Sequence, residues 1–138
     1  MAKFVSKDLD LFLNGNKLSS SVASVTINEE VDDIETTAFT NVGRTRIGGL
    51  RDGSVDIDFH QDYAAASVDA IINGTIGLGN IGTIEVVPFG TTAGVSATNP
   101  RYVMTCLVTE YPKEFSMGDL ATFSVSWPIS GTVGRGTT

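Results

Sequence analysis

Asp56 and Asp58 stand two residues apart in SVDIDFH, and paired carboxylates are the material of general acid–base chemistry. The same spacing is what any wetted strand face produces, because alternate strand residues point the same way. Val55, Ile57 and Phe59 alternate with Ser54, Asp56, Asp58 and His60, so these carboxylates read as the polar side of a half-buried strand. His60 is the only histidine, lies in that polar register, and has no GxSxG elbow to serve. Gly77-Leu78-Gly79-Asn80-Ile81-Gly82 spells GxGxxG, but a helical pattern precedes it and a strand pattern follows. A dinucleotide site needs the reverse order, so that helix amides meet the pyrophosphate; this glycine run reads as a turn. Asp8-Leu9-Asp10 lacks the further ligands and the glycine of a calcium loop. Cys106 is the one cysteine and sits mid-strand between Thr105 and Leu107, so neither an intrachain disulfide nor a cysteine-based zinc site is available. Asn73-Gly74-Thr75 matches a glycosylation sequon only by chance if the chain is not secreted. No catalytic, metal-binding or cofactor-binding residue emerges; the chain is read as a non-enzyme with no cofactor.

The elements around these residues are mostly strands. Leu9, Leu11 and Leu13 alternate within 8–13, and Asn14-Gly15 is a hairpin turn signal. Ala23, Val25 and Ile27 alternate with Val22, Ser24 and Thr26 over 21–28. After the 54–60 strand the period changes. Asp62 is placed to cap a helix, Ala64, Val68, Ile71 and Ile72 share one helical stripe, and Gly74 stands where a terminating glycine belongs. Strands follow at 81–89, with Pro88 marking an edge or bulge, and at 101–110, apolar on both faces. The last, 121–129, sets Phe123, Val125, Trp127 and Ile129 against Thr122, Ser124, Ser126 and Pro128. Residues 90–100 and 111–118 read as loops and 130–138 as a tail. The pattern predicts a mainly β fold: an antiparallel sandwich or partly closed barrel with one short flanking α-helix, in a single domain over 1–138.

The segment 29–51 fits no element. It opens with Glu29, Glu30, Asp32, Asp33 and Glu35 and closes with Arg44, Arg46 and Arg51, with short apolar pieces between. A loop this long is uncommon in a compact domain unless it is functional or disordered, and a run of charges is usually a solvated loop. Its split of charge suits pairing between identical copies.

Charge and hydropathy narrow the classes further. Sixteen acids against nine bases give a net charge of −7, so the field of the chain does not draw it to nucleic acid. No run of 18 apolar residues is long enough to span a membrane, and MAKFVSKDLDLF has no apolar stretch of the length a secretion signal needs.

Several pieces in order resemble the major tail tube proteins of long-tailed, non-contractile (siphovirus-type) bacteriophages. They are LFLNG at 11–15, DDIETTAF at 32–39, RTRIGGLRDGSVDIDF at 44–59 and ATFSVSWPISGTVGRGTT at 121–138. The resemblance implies a β-sandwich with a flanking helix that forms hexameric rings, stacked into a tube through which DNA passes into the host. It implies a ring-stacking loop at 29–51, carried by Glu29, Glu30, Asp32, Asp33, Glu35, Arg44, Arg46 and Arg51, and a C-terminal arm at 130–138 that includes Thr132, Val133 and Arg135. Asp56 and Asp58 are the candidates for the channel wall. The implied partners are further copies of the chain, tape-measure, tail-tip and tail-terminator proteins, and passing DNA that is not held tightly, with no membrane. The implied location is the virion tail, assembled in the host cytoplasm. The competing reading is a monomeric sandwich that binds carbohydrate or acts as an adhesin; it would set aromatics on an exposed platform, whereas here Phe and Trp mostly occupy core registers.

Overall fold

The structure is a computed structural model that describes residues 8–65, 67–91 and 94–137. Seven antiparallel strands form one sheet: β1 (Asp10–Leu13), β2 (Asn16–Lys17), β3 (Val22–Glu35), β4 (Arg46–His60), β5 (Ile81–Val87), β6 (Arg101–Leu107) and β7 (Thr122–Gly136). Their order is β2-β1-β5-β6-β7-β4-β3, so the sheet is open, with β2 and β3 at its edges. The fold is mainly β and sandwich-like, as the alternation of the sequence predicts. A 3-10 turn (Ser19–Ser21) leads into β3, and a helix (Ala70–Ile76) lies between β4 and β5.

β7 explains how one sheet makes two layers. Its first half, Thr122 to Pro128, pairs with β4. Its second half pairs with β6, from Cys106↔Ile129 to Arg101↔Gly136. A strand that changes partners midway turns the sheet through a corner. Residues 130–136 are therefore strand, not tail: the backbone of Gly134 and Gly136 lies close enough to β6 to pair with it.

The inward faces meet in one core. Val55, Ile57 and Phe59 of β4 stand directly opposite Trp127, Val125 and Phe123 of β7. All six are buried, and the Phe59 and Phe123 rings stack at 5.0 Å. Trp127 satisfies its indole N–H on the Glu110 carbonyl at 2.9 Å. From the other layer come Leu11, Leu13, Ile84, Val86, Met104 and Cys106. Only one face of β6 is buried: Val103, Thr105 and Leu107 on the other face are half exposed, which corrects the doubly apolar reading of 101–110.

The helix begins later than its stripe predicts and winds differently. Asp62 does hold the approach, accepting from the Ala64 N–H at 2.9 Å and the Ser67 hydroxyl at 2.9 Å. Val68, Ile71, Ile72 and Ile76 are buried, but Ala64 is exposed. The turns are π-type, and the terminating glycine is Gly77, with φ +82° and its N–H on the Ile72 carbonyl at 2.9 Å. Gly74 lies inside the helix. Ile71, Ile72 and Ile76 all reach the core from these turns.

The largest departure is 29–51. Only 36–45 is a loop: β3 and β4 carry the rest of it as a two-stranded ribbon, paired from Glu29↔Gly53 to Glu35↔Arg46. At the register shift between Val31 and Asp33, Gly49 and Leu50 of β4 stand opposite Asp32 alone, so the extra residue breaks the alternation of β4. A second shift, between Val22 and Ser24, turns Val22 opposite Phe59 and onto the core side.

Candidate assembly surface

Three surface features stand out, each placed by an element just described. The first is the ribbon. It projects beyond the last β4–β7 pair, Ser54↔Pro128, and its side chains have no second layer to cover them. Val31, Ile34, Ile47 and Leu50 are exposed, and at the turn Phe39 and Val42 are fully so. Glycines shape it. A Cβ on Gly49 would meet Ile34 at 2.8 Å, and one on Gly53 would lie 2.3 Å from the Asn28 carbonyl oxygen. The charges that the sequence separates come together here within one chain: Arg46 pairs with Asp33 at 2.8 Å and Arg44 with Glu35 at 3.6 Å. Glu29, Glu30, Asp32 and Arg51 make no ion pair among the described residues. Ile47 and Leu50 show no strand period because the bulge breaks the alternation of β4, and Val31 stands alone among acids.

The second feature is the outer face of β3, β4 and β7. Ser24, Asp58 and Ser124 lie side by side across three strands, as do Thr26, Asp56 and Ser126. The Ser124 and Ser24 hydroxyls donate to the two oxygens of Asp58, the latter at 2.6 Å, and hold its carboxyl below the usual aspartate range. Asn28 donates to Asp56 at 3.1 Å. The face presents hydroxyls, amides and carboxylates, and no lysine or arginine stands in these two rows. Its carboxylates are too well tied to neutral neighbours to read as an acid–base pair.

The third is the turn at 113–120, where Phe115, Met117 and Leu120 are exposed between β6 and β7. Behind it Tyr111 is locked: its hydroxyl donates to Asp69 at 2.7 Å and accepts from Gln61 at 2.9 Å, while Lys113 lies 4.3 Å over its ring. Burial, and then the Asp69 carboxylate, push the Tyr111 hydroxyl well above the ordinary tyrosine range.

The residues of chemical interest are not brought together. His60 is half-buried at the end of β4. Cys106 is buried, with its thiol pushed up to about 12 by burial and aimed at the Gly82 carbonyl, as a small core side chain is. In the GxGxxG stretch Gly77 and Gly79 take positive φ, and Gly79 donates to the Val108 carbonyl at 2.8 Å, so the run closes a turn onto β6. Among the described residues no group of three His, Cys, Asp or Glu could hold a metal ion, and no helix is long and apolar enough to cross a membrane. Lys3 and Lys7 lie outside the described residues, as do Thr92 and Ala93 of the 90–100 loop and Thr138 of the arm.

No protein-family model matches the sequence, and no curated protein matches it. Solved structures do. A chain from the virion of the native gene transfer agent (GTA) particle superposes with a TM-score of 0.69 over 96% of this chain and 98% of that one, at 13% identity. What the two share is the fold. A chain from the tail of the empty GTA particle, refined with C6 symmetry, gives 0.57 over 83% and 81%, also at 13% identity. A chain of the six-fold symmetrised anti-feeding prophage (AFP) baseplate gives 0.50 over 98% and 97%, at 6% identity. The likeness spans the chain from β1 to β7 and includes no shared sequence signal strong enough to see.

Proposed function

We propose that this chain is a structural subunit of a phage-type tail, and that it polymerises as stacked hexameric rings into the tail tube. The projecting β3–β4 ribbon carries the reading. An isolated subunit would leave Phe39, Val42, Leu50 and Ile47 in water at the end of a two-stranded ribbon, which is marginal by itself. A neighbouring ring covers such an arm. Three further observations support the same reading. The sheet ends in β3, a fourteen-residue strand with one edge unpaired among the described residues, and joining sheets around a ring removes such edges. The Ser/Thr/Asp face of β3, β4 and β7 suits a channel wall, with Asp56 and Asp58 facing the bore: carboxylates repel phosphate, so DNA slides without being held. Finally, solved chains with this fold come from particles described as a virion, a C6 tail and a six-fold baseplate.

In this reading 29–51 is the ring-stacking element, built as a stiff hairpin, and Thr132, Val133 and Arg135 belong to the strand that joins the two layers. Tape-measure, tail-tip and terminator proteins are the partners at the ends and inside, and the role is non-enzymatic. Electron microscopy of concentrated protein, with light scattering, tests it. Rings or hollow tubes are the expected result; a chain that remains monomeric at all concentrations, even beside a tail-tip complex, overturns it.

A further inference from the structure

The first half of β7 has two edges, and β4 takes one of them. The Gln61 N–H on the Ala121 carbonyl fixes which backbone groups point which way. By alternation Phe123, Val125 and Trp127 bond to β4, while Ser124 and Ser126 turn their backbone groups outward. The outward N–H of Ser126 does not stand open. It donates to the Glu110 carboxylate at 2.8 Å, an exposed contact on an exposed edge. Pro128 has no N–H to offer, so the edge ends there. Glu110 is held in place without that contact: its carbonyl accepts the Trp127 indole N–H, and the next residue, Tyr111, is fixed on Asp69 and Gln61. Its side chain therefore leaves the edge by a change of rotamer, with no movement of the backbone.

The opposite margin of the same layer is β3. Ser24, Thr26 and Asn28 bond to β4, and the same alternation turns the backbone groups of Val25 and Ile27 outward, where no strand is paired among the described residues. β3 and β7 both run antiparallel to β4, so they are parallel to one another. Rotation about a ring axis keeps that sense, and β3 of one copy meets β7 of the next as a parallel pair. The two margins match in length, since 22–28 pairs with 54–59 and 122–128 with 54–60. They also match in face: Ser24 and Thr26 continue the hydroxyl rows of Ser124 and Ser126.

We propose that Glu110 is a latch on the joint between neighbouring subunits. While its carboxylate holds the Ser126 N–H, β7 does not take β3 of a second copy; its release opens the edge. The exchange favours the joint, because one exposed hydrogen bond is given up for a ladder of backbone bonds. The latch has a use in the free subunit: a bare strand edge pairs with any other, and a charged side chain set on it prevents that. This inference rests on the reading that the chain forms rings, and it names a contact that must break before they form.

A concentration series followed by light scattering tests the latch. Glu110→Ala removes it, and Glu110→Asp shortens it by one methylene while keeping the charge. Both should assemble at a concentration about threefold to tenfold below that of the wild type, the factor by which one hydrogen bond shifts an equilibrium. Glu114→Gln, which removes a charge from the same exposed turn, should leave the threshold where it is. An unchanged or raised threshold for the Glu110 variants overturns the latch, and so does an equal fall for Glu114→Gln, since charge alone then explains it. The joint is read separately, in chains carrying Thr26→Cys with either Ser124→Cys or Ser126→Cys. These positions lie on either side of β4, two strand spacings or about 10 Å apart, whereas a disulfide needs its Cβ atoms about 4 Å apart, so no link forms within one chain. Assembled protein should give a ladder of linked chains on a non-reducing gel; Cys106 is buried and does not compete. Wild-type tubes with no ladder from either pairing overturn the β3–β7 joint, and the latch with it, and leave the tube standing. Failure of wild type and variants alike to assemble overturns both readings.

Discussion

Gly53 shows how much one hydrogen atom decides. A Cβ there would lie 2.3 Å from the Asn28 carbonyl oxygen, within the β3–β4 ladder where the ribbon leaves the body. Gly53→Ala is expected to cost about 1–3 kcal/mol in urea unfolding, whereas Gly74→Ala should be neutral or stabilising by up to about 1 kcal/mol. Gly74 sits in the helix with nothing within 4 Å of its added Cβ. Asp10 matters through its partners. Burial by itself would raise its pKa, but the Thr91 N–H at 2.8 Å and hydroxyl at 2.9 Å, with Lys17 and Ser19, outweigh burial and lower it. A carboxyl whose folded pKa lies below its unfolded value stabilises above the unfolded value, near 3.9, and loses that contribution as pH falls through the folded one. Thermal melts between pH 6 and pH 2 should therefore show a shallower acid decline for Asp10→Ala, with about 1–3 kcal/mol already lost at neutral pH because the Thr91 N–H is left unmet. An unchanged acid slope would count against Asp10.

At the scale of the element, register is the quantity to test. Ile57 is buried opposite Val25 and Val125, while Asp58, one residue on, faces out. Ile57→Asp should unfold the chain, and Asp58→Ala should change stability by less than about 1 kcal/mol. Equal losses in circular-dichroism melts would show the register to be wrong. Ile72→Ala probes the π turn: its side chain is fully buried, so about 2–5 kcal/mol is expected. The exposed Arg46–Asp33 pair is worth much less, about 0.2–1 kcal/mol, so charge changes at Arg46 should leave the ribbon folded.

For the whole molecule, the ribbon separates folding from assembly. The strands pair as far as Glu35↔Arg46, so replacing residues 36–45 with Asn-Gly gives a two-residue hairpin turn and removes Phe39 and Val42. The shortened chain should keep its spectrum and Tm, since the tip makes no contact with the core cluster, yet fail to form tubes under the microscope. Tubes of normal length from that variant would exclude the tip from stacking.

What the sequence determined by itself was local. Alternation marked Val55–Phe59 and Phe123–Ile129 as strands with one buried face each, because a period of two follows from backbone geometry alone. Asn14-Gly15 marked its turn for the same kind of reason. The apolar stripe marked Val68, Ile71 and Ile72, though not the π winding, which depends on what the stripe packs against. The ribbon at 29–51 was hidden, because a bulge at Gly49–Leu50 breaks the period of β4 and neither strand has a buried face there to mark it. The strand at 130–136 was hidden for a related reason: its Gly and Thr residues have little to bury, and β6 supplies its order. The polar face was legible as polar, but only the pairing of β3, β4 and β7 sets Ser24, Asp58 and Ser124 in one row. Strand character without a buried face is decided by partners, and partners are a property of the folded chain.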